Sequence, residues 1–316
     1  MTDVAHDSAT DPGIETSQAA LQRSEAVKSL ERREGWKRRI PLLPALLFTI
    51  VVTQVPFLFA LYYSFTDFNL FGEERSFIGF ENYGDLFGDM FFRDAAWVSI
   101  QITVLSVLLS LAVGTGLAML LDRKFFGQGF VRTLLITPFL VMPVVASFVW
   151  KNQMLSATFG VVNWVIELFG FEGTPFATRF PLYSVILVLV WQWSPFMMLI
   201  VLAGLQGQDT SVLEAAKVDG ATNWGIFRQI TFPQLRPFLE LGTLLGAIYL
   251  VQVYDHIEVI TGGSPLAKNL PFFIAQRTQI GFDFGRGSAE AMIVVIASII
   301  LANIGLRVLS NLFEGD

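Results

Sequence analysis

Residues 214–233 read EAAKVDGATNWGIFRQITFP, a polar stretch between two long apolar segments. The order of these residues predicts a helix, a glycine break and a second short helix. Ser211 precedes Glu214 by three residues, the spacing of a capping box, so Ser211 is predicted to start the first helix. Gly220 is predicted to end that helix, because glycine adopts the left-handed conformation of a helix C-terminus without steric cost.

The second half of the stretch carries start and stop signals of its own. Thr222 or Asn223 is expected to cap the second helix, since both side chains can accept a hydrogen bond from a free N–H of the first turn. Pro233 is expected to stop this helix, because it has no N–H and its ring clashes with the preceding turn. Taken one at a time, these signals also fit an ordinary polar loop.

The chain as a whole is too apolar for an ordinary soluble domain. Its 316 residues are 53% hydrophobic and 15% charged, whereas soluble chains carry about 25% charged residues. The absence of cysteine excludes disulfides and thiolate chemistry. His6 and His256 stand far apart and lack a carboxylate cluster, so no metal site is expected. No Gly-x-x-x-x-Gly-Lys-Ser/Thr sequence occurs, so the chain is expected to bind no ATP itself.

Six apolar segments approach or exceed the roughly 20 residues that a helix needs to cross a bilayer. The predicted spans are residues 40–66, 95–121, 133–150, 180–208, 241–254 and 291–306. The fifth and sixth are short, and they become full spans if Glu240 and Arg307 lie near the interface, where long side chains can reach the head groups. Lys151 and Glu258, also near span ends, are predicted to be interface anchors.

The distribution of basic residues predicts the orientation of these spans. With the N-terminus inside, 14 of the 21 Lys and Arg fall on the cytoplasmic side, and the N-terminal tail supplies the excess. Residues 1–39 are therefore predicted to form a cytoplasmic tail, whose basic end anchors the first span at an anionic leaflet. Residues 40–316 form the predicted transmembrane domain. An even number of spans places the C-terminus in the cytoplasm as well.

Three motifs together resemble one family. The first motif is similar to the EAA loop of bacterial ABC importer permeases. It consists of Glu214-Ala215-Ala216, three residues, Gly220, nine residues, Ile230, one residue and Phe232-Pro233. The family usually has Leu where this chain has Phe232. Residues 65–68 (FTDF) with 78–83 (IGFENY), and residues 261–265 (TGGSP), resemble the outer loops of carbohydrate-type permeases. The resemblance points to the MalF-like member of a permease pair.

The resemblance implies a fold and a function. The fold is an all-α integral membrane protein with six transmembrane helices and a cytoplasmic EAA-loop coupling helix, a type I ABC importer permease. The function is that of the membrane subunit of an ATP-driven, binding-protein-dependent importer in the bacterial cytoplasmic (inner) membrane, without enzymatic activity of its own. The residues expected to dock on the ATPase are Glu214, Ala215, Ala216, Gly220 and Pro233.

The same resemblance implies the partners. These are a second homologous permease subunit, two ATP-binding cassette subunits, an extracytoplasmic solute-binding protein and membrane lipid, with no nucleic acid. This chain is expected to hold no cofactor, because ATP and Mg²⁺ bind to the partner ATPase.

Polar and aromatic residues inside two spans predict where the solute passes. Gln192, Trp193 and Phe196 lie in the fourth span, and Tyr249 and Gln252 lie in the fifth. There Tyr249, Gln252 and either Asp255 or His256 recur at three- and four-residue steps, which predicts one shared helix face. Amides bond hydroxyls and aromatic rings pack on C–H surfaces, so this combination favours a sugar. An interfacial aromatic belt and interhelical hydrogen bonds are the alternatives.

The substrate class follows from what these spans lack. A phosphorylated solute would need basic residues in the cavity, and the fourth and fifth spans contain none. A neutral sugar or polyol is therefore expected. A secondary transporter, which would need ion-coupling carboxylates deep in the spans, and an ABC permease for a non-sugar solute are the alternative functions; Asp255 is the one acidic candidate for such coupling.

Overall fold

The computed structural model of the protein describes residues 40–72 and 76–314. These residues belong to two units, one ending at Phe59 and one beginning at Ala60, and the first long helix, Leu43–Tyr63, runs through the division. The predicted N-terminal tail, residues 1–39, lies outside the described residues.

Within residues 40–72 and 76–314 the regular secondary structure is helical, with no β-strand. Two isolated β-bridges join Thr66 to Phe77 and Asn69 to Asp283. The α-helices are α1 (Leu43–Tyr63), α2 (Glu81–Gly88), α3 (Met90–Leu121), α4 (Gln128–Leu140), α5 (Pro143–Val149), α6 (Val161–Leu168), α7 (Phe176–Arg179), α8 (Pro181–Gln206), α9 (Thr210–Val218), α10 (Asn223–Ile226), α11 (Phe232–Leu250), α12 (Leu270–Ala275) and α13 (Phe284–Glu314). Short π-helical turns are Trp150–Met154, Phe227–Thr231, Ile257–Thr261 and Gln276–Ile280.

Each predicted span overlaps a long helix or the bent helix pair. By length and composition, three of the described helices, α1, α3 and α8, can cross a membrane, and α4 with α5 would be a fourth span if the bent pair counts as one. The predicted fifth and sixth spans lie on α11 and α13. The fifth is shifted, however, because α11 begins at Phe232 and ends at Leu250.

The predicted third span, residues 133–150, is not a single straight helix. Its two halves, Gln128–Leu140 and Pro143–Met154, are bent by 100°. Met142 precedes Pro143 and has an extended backbone, φ −57° and ψ 137°. A proline ring disfavours the helical conformation in the residue before it, so Pro143 both ends the first half and starts the second.

The core is formed where α3, α8 and α11 approach closely. A Cβ added to Gly114 of α3 would lie 2.6 Å from the Cβ of Met197 in α8, and one added to Gly246 of α11 would lie 2.7 Å from the Cε of Met197. Met197 is fully buried. Small residues let helix backbones approach closely in membrane proteins. These glycines therefore leave room for Met197 between α3, α8 and α11.

The FTDF and IGFENY motifs meet at the end of α1. The buried Asn82 donates to the carbonyls of Ser64 and Thr66, both at 3.0 Å. Tyr83 donates its hydroxyl to Ser64 Oγ at 2.7 Å. Asn82 thus pairs two backbone carbonyls of the segment that follows the helix end, which gives the asparagine of this motif a structural role.

Ion pairs connect the start of α3 with α13. Arg277 Nε lies 2.7 Å from the fully buried Glu290, an ion pair without hydrogen-bond alignment. Its guanidinium also lies 3.2 Å from Asp89, whose side chain caps α3. Arg286 pairs with Asp85 at 2.8 Å. A buried carboxylate is costly unless it is paired, so Arg277 stabilises the burial of Glu290 in α13.

Candidate functional site

We call residues 209–231 the EAA hairpin; it contains α9 and α10. The N-cap of α9 is Asp209, whose carboxylate accepts a hydrogen bond from Ser211 N at 2.8 Å. The prediction that Ser211 caps this helix is therefore wrong. The helix begins at Thr210, two residues earlier than a Ser211 cap predicts, and Ser211 supplies one of the free N–H groups of the first turn. Hydrogen bonds from the side chain and backbone of Ser211 lower the pKa of Asp209.

The glycine break and the second cap are confirmed. Gly220 has φ +82°, and the N–H groups of Gly220 and Ala221 donate to the carbonyls of Lys217 and Ala216 at 3.1 and 3.0 Å. This pair of bonds is the Schellman arrangement, which requires the left-handed conformation at Gly220. Thr222 Oγ1 accepts from Gly225 N at 3.1 Å and caps α10.

Pro233 does not stop the second helix, contrary to the prediction. After Ile226 the chain continues through the π turn Phe227–Thr231 directly into α11. Pro233 falls in the first turn of α11, where a missing N–H costs little. The wide π turn preceding it gives the ring room that a regular helix interior would not. The EAA hairpin is therefore joined to α11 without a break.

The EAA hairpin presents apolar side chains on its surface. Val212, Val218 and Trp224 are 43%, 87% and 69% exposed. Of the residues predicted to dock, Ala216 is half-buried and the others are exposed, namely Glu214, Ala215, Gly220 and Pro233. Such a surface suits contact with a partner protein, and the docking role of these residues stays a prediction.

The residues predicted to contact solute come together at one cavity of about 650 Å³, which we call the central cavity. Gln192, Trp193, Phe196, Tyr249 and Gln252 all line it. The sequence did not single out several other lining residues, which are Phe139, Val141, Pro143, Leu245, Val253 and Tyr254. The remaining two are Asp255 and His256.

Aromatic rings from three helices form one wall of the central cavity. Trp193 of α8 lies with its ring centroid 5.6 Å from those of Phe139, Phe196 and Tyr249. Phe139 also stacks on Phe196 at 5.1 Å. Such ring pairs add stabilisation beyond the area they bury. Phe139 was missed because it lies in the bent pair, far from either predicted group in sequence.

The two glutamines have different environments. Gln192 is buried, and its Nε2 donates to the Val141 carbonyl at 2.7 Å while its Oε1 lies 2.7 Å from His256 Nε2. Gln252 is exposed, and its Nε2 donates to the Ile248 carbonyl at 2.8 Å. Both ends of the Gln192 amide thus bond within the protein, whereas Gln252 is exposed at the central cavity.

The predicted shared helix face in the fifth span is wrong. The helix ends at Leu250, and Gln252 and Asp255 lie beyond it in a turn and the start of the next segment. The buried Asn269 fixes this exit, since it donates to the Val253 carbonyl. Tyr249 and the residues beyond the helix still line the same cavity, because the chain folds back towards α8.

One of the lysines near a predicted span end has a hydrogen-bond partner within the protein, and its role as an interface anchor stays a prediction. Lys151, in the π turn after α5, donates to the Val259 carbonyl at 2.7 Å. Together with the two bonds of Gln192, this hydrogen bond connects the bent pair to residues 251–261. Glu240 pairs with Arg236 at 2.8 Å within α11. Across residues 40–72 and 76–314, no cluster of three or more His, Asp or Glu side chains is placed to hold a metal ion.

Residues 112–315 match the protein family described as binding-protein-dependent transport system inner membrane component. The chain belongs to this family. The permease is 34% identical to a probable ABC transporter permease protein, y4oQ, of Sinorhizobium fredii, over 86% of this chain and 89% of that one. It is 29% identical to the trehalose transport system permease protein SugA of Mycobacterium tuberculosis, over 84% and 85% of the two chains.

The fold of the permease is also that of a solved importer. A chain in the crystal structure of a bacterial alginate ABC transporter, in complex with an alginate pentasaccharide-bound periplasmic protein, superimposes with a TM-score of 0.76 at 19% identity, over 91% of this chain and 98% of that one. The predicted fold class, an all-α type I ABC importer permease, is confirmed. The permease is a membrane-embedded transport subunit of a binding-protein-dependent system.

Proposed function

We propose that the permease moves a neutral sugar or polyol into the cell by alternating access, with the central cavity as the transient solute site. The observation that carries this proposal is the lining of that cavity. Trp193, Phe196 and Tyr249 offer ring faces, Gln252 offers an amide, and the described lining residues include no Lys or Arg. Ligand sites combine apolar surface with a few placed polar groups in this way. The trehalose name of the Mycobacterium tuberculosis relative supports a sugar.

The EAA hairpin, in this proposal, is the cytoplasmic docking surface for the ATPase. Val212, Val218 and Trp224 provide apolar contact area, and Glu214 provides a polar contact. Its continuity with α11 gives a direct mechanical path, since a displaced hairpin moves the helix that carries Tyr249. Both chain termini are cytoplasmic in this arrangement, which the excess of Lys and Arg supports.

The working complex has four kinds of component. This permease pairs with a second homologous permease subunit, and two ATP-binding cassette subunits bind ATP and Mg²⁺ below them. An extracytoplasmic binding protein delivers the solute. This chain carries no catalytic group and supplies half of the pathway.

Two measurements test the proposal. Purification through a tag on this permease should recover a second permease subunit and an ATPase, and uptake with this permease as the only membrane subunit would contradict the pairing. Calorimetry on the cognate binding protein with trehalose, maltose, sorbitol, amino acids and short peptides should give binding to the sugars or the polyol. Binding of amino acids or peptides alone would favour the alternative, a permease for a non-sugar solute.

A further inference from the structure

The hydrogen bonds of Gln192 determine how the His256 ring is protonated. A backbone carbonyl can only accept, so the Val141 carbonyl requires the NH₂ end of Gln192 at the observed 2.7 Å. The oxygen of the same amide therefore faces His256 Nε2 at 2.7 Å. An amide oxygen can only accept as well, so Nε2 must carry the hydrogen and donate it.

The second ring nitrogen is then an acceptor. His256 is buried, 4% exposed, and no carboxylate pairs with it in the part of the chain that the structure describes, which leaves the ring neutral. In a neutral imidazole with a hydrogen on Nε2, Nδ1 has a free lone pair. Nδ1 has no hydrogen-bond partner among the described residues, and His256 lines the central cavity.

We propose that His256 Nδ1 accepts a hydrogen bond from a hydroxyl group of the transported solute, and that Gln192 and the Val141 carbonyl fix the ring for this contact. This inference rests on the proposed function. It makes His256 a specificity-determining residue and Gln192 a positioning residue without direct solute contact. A site built to bond a hydroxyl discriminates strongly against an analogue that lacks it, so Nδ1 selects solutes with a hydroxyl donor at this point.

The tautomer is tested without any solute. The complete complex is labelled with ¹⁵N-histidine in lipid nanodiscs, and the His256 signals are those that H256Q removes. His6 is the one other histidine of this chain, and H6A removes its signals. We expect a hydrogen on Nε2 and none on Nδ1, and an even mixture of both tautomers in Q192M, where the oxygen that orders the ring is gone. A hydrogen on Nδ1 in the unmodified complex would overturn the proposal.

Two substitutions at His256 separate solute contact from packing. Asn carries its amide atoms near the position of Nδ1, whereas Gln carries them near Nε2. H256Q therefore keeps a donor for Gln192 and loses the cavity acceptor, and H256N does the opposite. If the ring contacts solute, H256N should retain more uptake per ATP hydrolysed than H256Q, by about fivefold for one hydrogen bond. A purely structural role predicts the reverse order.

The transport probes are trehalose, maltose and sorbitol, delivered by the cognate binding protein to reconstituted vesicles. Equal uptake by the two variants, or more uptake by H256Q, would overturn the proposal. If the unmodified complex carries none of the three probes, the proposed sugar specificity fails and the solute contact fails with it. The tautomer measurement then still decides independently whether Gln192 orders the ring.

Discussion

The EAA hairpin and the central cavity are built in opposite ways. Most hydrogen bonds in the hairpin join residues two to five positions apart, such as Ser211 to Asp209 and Ala221 to Ala216, and a longer one runs from Gln208 to the Thr231 carbonyl, 23 positions away. The three bonds that frame the cavity join residues 51, 64 and 108 positions apart. A local structure depends on each residue's own backbone preference. A non-local structure depends on contacts among several elements, so the loss of one hydrogen bond affects the packing of all of them.

The largest expected effect comes from breaking the hairpin at its glycine. Gly220→Val places a β-branched side chain at φ +82°, a conformation that costs an L-residue about 1–2 kcal/mol or more. We expect loss of ATPase co-purification and a drop in uptake of at least about tenfold, with normal membrane insertion. Pull-down and vesicle uptake measure this.

Gly207→Ala is the matched control for this change. Gly207 ends α8 at φ −85°, and an added Cβ would meet ordinary contacts no closer than 3.5 Å. It should leave assembly and uptake close to those of the unmodified permease. Equal behaviour of the two variants, or normal assembly with Gly220→Val, would show that the hairpin does not depend on the left-handed turn.

The next largest effect is a difference in stability between variants of the two cavity glutamines, because only Gln192 has a buried hydrogen-bond partner. Gln192→Leu leaves the half-buried Val141 carbonyl and the buried His256 N–H unpaired, and an unpaired buried group costs about 1–3 kcal/mol. Gln252→Leu removes a bond on the exposed helix end and should cost less than about 1 kcal/mol. The thermal unfolding midpoint of the purified complex should fall clearly for the first variant and barely for the second.

Uptake sharpens the same comparison. Gln252→Leu should lower uptake several-fold at unchanged stability if its amide contacts solute. An equal fall in the unfolding midpoint for both variants would mean that the buried links of Gln192 are not the frame of the cavity.

The smallest effect concerns the first cap of the hairpin. Asp209→Ala removes the acceptor for Ser211 N and should weaken α9 by about 1 kcal/mol. Asp209→Asn keeps a capping oxygen and should cost only a few tenths of that. Amide hydrogen exchange in residues 210–218 should quicken in the first variant and stay near normal in the second. Faster exchange in both would assign the effect to the charge of Asp209 and not to its cap.

Much of the hairpin could be predicted because its signals are local. The left-handed Gly220 and the Thr222 cap follow from backbone preferences that hold in almost any context. Two local predictions were wrong because a neighbouring residue or turn changed the outcome. Ser211 lost the cap position to Asp209, two residues earlier, and Pro233 was accommodated by a π turn that sequence spacing does not reveal.

The helical membrane architecture and the family could be predicted from sequence, because hydrophobic run length and local turn chemistry depend on near neighbours alone. Only the three-dimensional structure reveals which polar residues of the cavity already bond within the protein and which are exposed to a solute. It showed that Gln192 is engaged by Val141 and His256, that α11 ends before Gln252, and that Phe139 joins the aromatic wall. Those outcomes depend on a 100° bend and a chain reversal that bring distant segments together, and the hydrogen-bond partners of a buried group are fixed only when those segments meet.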